Sequence, residues 1–390
     1  MSETSSITRS EWTSIGSLCG VFGLRMLGLF MVLPVLSPYA DSLPGASPTL
    51  IGLAMGAFPL TQALFQIPFG SASDRWGRKP VLTVALLLFA LGNVAAALAS
   101  NIYYLILALA LQGTGATASV IVAFIADLTR DIVRTRAMSM IGAAVGLAFG
   151  LGFIAGPLMA GTLGIQSIFY TVAGLSILAI GFIYFIVPTP KSPVHHEETQ
   201  LTWSRLRNVL GNTELWTVHS GIFVLNTSLR ALFVVVPFIM MQFVPQSGSW
   251  KFYLPALIIS GLVMFPTIFL AERNGYVMEA TYGSTLILIL GLGSFLGFRY
   301  SFWGIMVSIT LYFIGFSLLE AILPSLVTKI SESRDRGTAV GIFNMSQYSG
   351  SFVGGIIGGT FLEFQQWIMF VILIVIIGIW GAFLHNISVE

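Results

Sequence analysis

The sequence predicts an all-α membrane protein of twelve transmembrane helices in two six-helix bundles, with both termini cytoplasmic. Three observations predict it: a composition too apolar for water, a dozen apolar runs of membrane-crossing length, and basic residues sorted onto alternate connections. Apolar residues make up 56% of the 390 and charged residues 9%, with a mean hydropathy of +0.89. A soluble domain carries about 25% charged residues. So few charges cannot cover a water-facing surface, and most of the chain must face lipid.

A bilayer-crossing helix needs about 20 mostly apolar residues. The candidate runs are 15–40, 50–69, 80–99, 102–126, 137–163, 168–187, 215–243, 252–271, 280–298, 302–327, 337–361 and 367–384. Barrel strands would alternate polar and apolar residues over about ten positions. These runs are apolar all round, which makes them helices. The polar start MSETSSITRSEW and the long first apolar run do not fit a cleavable signal. Cys19 stands alone and can form no internal disulfide.

Basic residues sort by connection. The N-terminus and the even-numbered loops hold Arg9, Arg75, Arg78, Lys79, Arg130, Arg134, Arg136, Lys191, Arg205, Arg207, Arg273, Lys329, Arg334 and Arg336. The opposite side holds Lys251 and Arg299 alone, while Arg25 and Arg230 fall inside spans. Positive residues stay on the cytoplasmic side. Both termini are therefore expected in the cytoplasm, as an even number of spans also requires.

The longest connection, residues 188–214, carries Pro188, Pro190, Pro193, His195, His196, Glu197 and Glu198. It is expected to be a cytoplasmic linker between an N-terminal bundle at 1–187 and a C-terminal bundle at 215–390. Residues 201–209 fit a short interfacial helix with Trp203 and Leu206 toward lipid. The halves echo each other. DLTRDIVRTRAMSMIGAAVG follows helix 4, and VTKISESRDRGTAVGIFNMS follows helix 10. Duplication at half length is a mark of transporters built from repeated bundles.

Between helices 2 and 3 stands GSASDRWGRKP, with Gly70, Asp74, Arg75, Gly77, Arg78, Lys79 and Pro80. The chain must turn back here at the membrane surface, and Gly70 and Gly77 suit a tight turn. Asp74 is an acid in an otherwise basic loop, and the N-terminus of a nearby helix would favour it.

That pattern (glycine, three residues, aspartate, two residues, glycine, arginine, then lysine) resembles the loop signature of the major facilitator superfamily. The resemblance implies that Asp74 meets the start of helix 11 near Gly337 in the outward-facing state. It also implies that Arg78 pairs with Asp127 at the end of helix 4, so that the loop acts as a conformational latch. RMLGLFMVLPVL, LTQALFQIPFG, ADLTR and LLEAILPSL are similar to a bacterial subfamily of multidrug transporters of the drug:proton antiporter type. Relatives of that type can carry a further soluble C-terminal domain, which is not expected here. In helix 5, Gly152, Gly156, Pro157 and Gly161 resemble the antiporter motif of this family's drug exporters. Small residues let helices approach closely, and helix 11 repeats the pattern with Gly350, Gly354, Gly355, Gly358 and Gly359.

Ionisable groups within a span cost about 2.5–3.5 kcal/mol or more, so each is a functional candidate. Arg25 lies about 15 Å above the cytoplasmic end of helix 1, and Glu320 about 10 Å above that of helix 10. The resemblance implies a central cavity lined by helices 1, 4, 7 and 10. Arg25 and Glu320 are expected to face it, with Glu320 as the group that exchanges a proton. Met26, Phe30, Gln62, Gln66, Gln112, Asn226, Phe233 and Asn344 are expected to line it too. One departure from the family stands out. Proton-coupled exporters carry an arginine three residues before a Gln-Gly pair in helix 4; here the pair is Gln112–Gly113 and the matching residue is Leu109. Arg25 is the candidate replacement.

His195 and His196 have no third ligand nearby, so no metal is expected. No phosphate-binding Gly-rich loop followed by Lys and Ser/Thr occurs, so ATP does not drive the protein directly. Short, scattered basic loops exclude a nucleic-acid role. The expectation is therefore a monomeric inner-membrane secondary transporter with no cofactor, whose partners are a small-molecule substrate, protons and the bilayer. It would export amphipathic compounds in exchange for protons. The alternative is a proton-independent facilitator, or a symporter, of a polar metabolite or lysolipid.

Overall fold

The computed structural model describes residues 9–188, 203–332, 335–363 and 365–387. All regular structure among them is helical, in the order α1 (Arg9–Asp41), α2 (Pro48–Trp76), α3 (Arg78–Ala97), α4 (Ile102–Thr114), α5 (Thr117–Leu128), α6 (Asp131–Leu163) and α7 (Ile165–Phe185). Then follow α8 (Trp203–Gly211), α9 (Thr213–Met241), α10 (Trp250–Asn274), α11 (Val277–Phe298), α12 (Phe302–Ile330), α13 (Arg336–Thr360) and α14 (Gln366–Phe383). Lipid offers no hydrogen bonds, so each crossing segment must satisfy its backbone internally, as a helix does.

Polar residues start several helices. Asn101 accepts from the Tyr104 amide at 3.0 Å, Asn212 from Leu215 at 3.1 Å and Ser301 from Gly304 at 2.9 Å. Each fills one of the donors a helix N-terminus leaves open.

Among the described residues, eleven helical segments are long and apolar enough to cross a membrane, with α4 and α5 taken together as one. The eleventh span of the sequence expectation, α13, has the length at 25 residues. Its Gly, Ser, Asn and Gln content leaves it short of the apolarity.

Two local expectations are corrected. The turn after helix 2 is not a ten-residue loop. Helix α2 runs through Gly70 to Trp76 and α3 begins at Arg78, so Gly77 alone makes the turn, at φ 91°. Gly70 lies inside the helix, where an added Cβ would meet only Ser119 at ordinary contact distance. The fourth span is not continuous either: it breaks at Gly115 and Ala116 between α4 and α5. Where an interfacial helix was expected at 201–209 the chain forms the helix α8, while residues 189–202 of the linker, with His195 and His196, lie outside the described residues.

The chain divides into two compact units, Met1–Gly45 with Ala57–His195, and Ala46–Gly56 with His196–Glu390. In the first, α1 packs chiefly on α6, and α3 on α7 and α4. Its core includes Ile15, Leu18, Phe22, Leu82, Leu86 and Phe124. In the second, α9 packs chiefly on α13, and α12 on α11 and α10. The two main pairings use the same device. A Cβ on Gly152 or Gly156 would strike Phe30 and Met31 of α1, and one on Gly350 or Gly354 would strike the Phe223 and Thr227 carbonyls of α9. In the second unit Gly52 also lies directly against Gly355 and Gly359.

Candidate functional site

An ion-pair cluster sits where α2 gives way to α3. Arg78 Nε donates to Asp127 Oδ2 at 2.6 Å, and its NH1 donates to Asp74 at 2.5 Å and to Ser73 Oγ at 2.6 Å. Side-chain exposure is 9% for Arg78 and 3% for Asp127, so this pair is desolvated. Lys79 donates to the Val187 carbonyl beyond α7 at 2.6 Å, whereas Arg75 is exposed. The guanidinium fork lets one side chain hold residues of α2 and α5 at once. Sequence reasoning missed Ser73. It also missed the Glu11 carboxylate, which accepts from Arg130 Nε at 2.9 Å, from Arg130 NH2 at 3.0 Å and from the Arg130 amide at 3.3 Å. Glu11 is 6% exposed, and its place in a polar N-terminal stretch hid that burial.

The first unit holds a polar cluster around Arg25, which is 3% exposed in the middle of α1. Its NH2 donates to Gln62 Oε1 at 2.8 Å, and Gln62 Nε2 donates on to Gln66 Oε1 at 3.3 Å. The same NH2 reaches the Gly115 carbonyl at 3.4 Å. That carbonyl lies at the break in the fourth span, and a residue with a Cβ at Gly115 would strike the Ala85 carbonyl. The guanidinium stands over Phe89 at 5.2 Å and Phe58 at 6.0 Å from the ring centroids, cation–π partners that weaken the cost of its burial. Gln112 is buried nearby on α4, and Leu109 is buried at 1%. The break at Gly115 could have been suspected from the Gly-Thr-Gly-Ala-Thr run, and the aromatic pair could not.

Of the expected lining residues in this unit, Met26 packs partly buried against the core. Phe30 stacks edge-on against Phe149 at 4.8 Å. Gly152, Gly156 and Pro157 lie within α6, as does Gly161; the first two are close-packing positions.

The second unit holds its own polar cluster on three helices. Glu320 Oε1 on α12 accepts from Gln347 Nε2 on α13 at 2.7 Å, and Asn226 on α9, whose Nδ2 donates to the Ile222 carbonyl at 3.2 Å, stands beside the carboxyl group. Among the described residues the other oxygen, Oε2, is buried without a partner. Two turns earlier on α12, Tyr312 shares a hydrogen bond with Ser228 at 2.9 Å. Thr227 ties α9 to the Gly350 carbonyl at 3.0 Å. Asn344 is half-buried on α13. Phe233 was expected to line the cavity; it is fully buried, its ring against Tyr253 and Phe313, and it packs rather than lines. Arg25 and Glu320, both expected to face the cavity, each have partners in their own unit. No group of three or more metal-ligating side chains occurs among the described residues.

Long apolar helices in two units, each with a buried polar cluster at mid-span, define a membrane carrier. Residues 18–355 match the model of the Major Facilitator Superfamily, and the chain belongs to that family. It is 38% identical over 354 residues to the inner membrane transport protein YajR of Escherichia coli strain K12, covering 90% of this chain and 78% of the relative. By fold it is similar to the nucleoside transporter NupG, with a TM-score of 0.76 at 17% identity over 98% of this chain and all of the other. It is likewise similar to a bacterial homolog of the human lysosomal transporter Spinster, at 0.76 and 14% over 97% of each chain. The protein is thus a multi-pass inner-membrane secondary transporter that moves small molecules by alternating access, and not an enzyme.

Proposed function

We propose that the chain carries a small polar metabolite or lysolipid, and that protonation of Glu320 is linked to its movement. The observation that carries this reading is the Glu320–Gln347–Asn226 cluster. A carboxylate in a span is kept at a cost of several kcal/mol, about 2.5–3.5 on insertion scales, and the Gln347 amide of a neighbouring helix holds it, with Asn226 beside it. The Arg25–Gln62–Gln66 chain adds a second set of polar groups. Together they favour a hydrogen-bonding substrate over a purely apolar one. The NH2 of Arg25, set on Gly115, supplies the positive charge that Leu109 does not.

Export of amphipathic compounds in exchange for protons is the second reading, favoured by the likeness of Gly152–Gly161 to the antiporter motif. The twelve-span arrangement, cytoplasmic termini, bundles at 1–187 and 215–390 and monomeric action belong to the same proposal. So does the latch role of Asp74, Arg78 and Asp127. The basic residues of alternate connections support the orientation, and the buried Arg78–Asp127 pair supports the latch.

Proteoliposomes with an imposed pH gradient test it, with uridine, an organic anion, lysophosphatidylcholine and tetraphenylphosphonium as probes. Gradient-driven accumulation of uridine, the organic anion or the lysolipid is expected. Extrusion of tetraphenylphosphonium alone would establish the second reading instead.

A further inference from the structure

About two helical turns separate His219 from Asn226 on α9, so both side chains leave the same face about 10 Å apart. The imidazole is 2% exposed, and the Phe343 ring of α13 meets it edge-on at 6.4 Å. One turn further along α13 stands Gln347, the partner of Glu320. His219 with Phe343, and Asn226 with Gln347 and Glu320, are therefore successive layers built by the same pair of helices.

Both ring nitrogens of His219 lie buried without a hydrogen-bond partner among the described residues, and so does Glu320 Oε2. A neutral imidazole presents one donor and one acceptor, and both are donors once it is charged. Other polar groups along α9 are matched: the Thr217 carbonyl accepts from Trp380 Nε1 at 2.9 Å, and the Thr227 and Ser228 hydroxyls are bonded. Apart from Glu320, the charges among the described residues of the elements packed against α9 lie at helix ends or on the short α8. They are Asp335 and Arg336 at the start of α13, Lys329 late in α12, Arg207 on α8 and His385 beyond α14. Asn208 donates to Asp335 at 3.3 Å. On α9 itself Glu214 lies in the first turn and Arg230 beyond Asn226. Among the described residues, Glu320 is the carboxylate set in the layer next to His219.

We propose that His219 is the proton-transfer residue that loads and unloads Glu320. One ring nitrogen takes a proton arriving from the Thr213 end of α9, and the other releases its proton through water to Glu320 Oε2. Only N–H and O–H bonds form and break. The inference rests on the reading that Glu320 titrates.

The full chain in nanodiscs is subjected to a rapid pH drop while the protonated-carboxyl C=O band of Glu320, identified by its loss in E320Q, is followed by infrared spectroscopy. In H219F, which keeps the ring and loses both nitrogens, the band should rise on the order of a hundredfold more slowly, to the same final amplitude. A second measurement needs no change at the site. With His195, His196 and His385 replaced by Gln, the 15N imidazole signal left is that of His219, and it should titrate over the range where the Glu320 band grows. Equal rates in H219F and the unaltered chain, or a His219 signal indifferent to pH in that range, would overturn the proposal. Absence of any Glu320 band would instead remove Glu320 as the titrating group, and with it both the functional reading and the relay.

Discussion

Gln347 Nε2 donates to Glu320 Oε1 at 2.7 Å, from α13 to α12, while Glu320 Oε2 is buried with no partner among the described residues. This bond is compatible with both states of the carboxyl group, because Oε1 accepts from the amide whether or not Oε2 carries a proton. The free oxygen is the natural place for the proton. Glu320→Gln should therefore preserve the fold and the Gln347 contact but abolish pH dependence of transport. Gln347→Leu leaves the carboxylate short of a donor and should destabilise the unit by about 1–3 kcal/mol. Thermal unfolding in detergent checks the second variant, and proteoliposome flux at several pH values the first.

Arg25 is held from several directions, by Gln62, by the Gly115 carbonyl and by the faces of Phe58 and Phe89. Gln62→Leu removes one acceptor from a buried guanidinium that keeps the Gly115 carbonyl and should cost about 1–3 kcal/mol, the range for leaving a buried polar group unsatisfied. Arg25→Lys should lose more than charge conservation suggests, because an ammonium cannot reproduce the planar fork over two rings. Unfolding midpoints of both variants test this.

Breaking the Arg78–Asp127 pair strands a charge in a desolvated place. Arg78→Ala should destabilise by about 3–5 kcal/mol, and Arg78→Lys should recover part of that. Asp74 is 42% exposed, so Asp74→Asn should leave stability nearly unchanged and alter transport rate instead. Unfolding and flux, measured on the same three preparations, separate the structural role from the latch.

Two glycines of α6 should behave oppositely. A Cβ at Gly156 would strike the Met31 carbonyl, while one at Gly146 meets nothing within 4 Å. Gly156→Ala should cost about 1–3 kcal/mol through overpacking. Gly146→Ala should be neutral or stabilising by up to about 1 kcal/mol, the helix preference of alanine over glycine. Unfolding midpoints of the pair decide it.

The helices were legible because lipid imposes one rule on all of them: about 20 apolar residues with every backbone group satisfied internally. The exceptions are informative. Helix α13 has too many small polar residues to stand out by hydropathy, yet the basic loop ahead of it, matching the one ahead of α6, marked it. The Gly70–Pro80 signature located the Arg78–Asp127 pair through the family pattern, but its spacing suggested a loop where α2 in fact continues to Trp76. Apolar runs are read without side-chain direction, so nothing marked Phe233 as packing, or Phe58 and Phe89 as the rings around Arg25. Gln347 is one of several amides in its helix, and only tertiary packing brings it to Glu320. His219 is one polar residue in a long apolar run, and only packing buries it against Phe343.

The central claim is that protonation of Glu320 drives the carrier, and solute accumulation by Glu320→Gln under an imposed pH gradient measures it most directly. Unaltered protein in proteoliposomes should accumulate the transported probe when the outside is acidified. Glu320→Gln should exchange that probe across the membrane at comparable rates yet fail to accumulate it. Undiminished gradient-driven accumulation by Glu320→Gln would contradict the account.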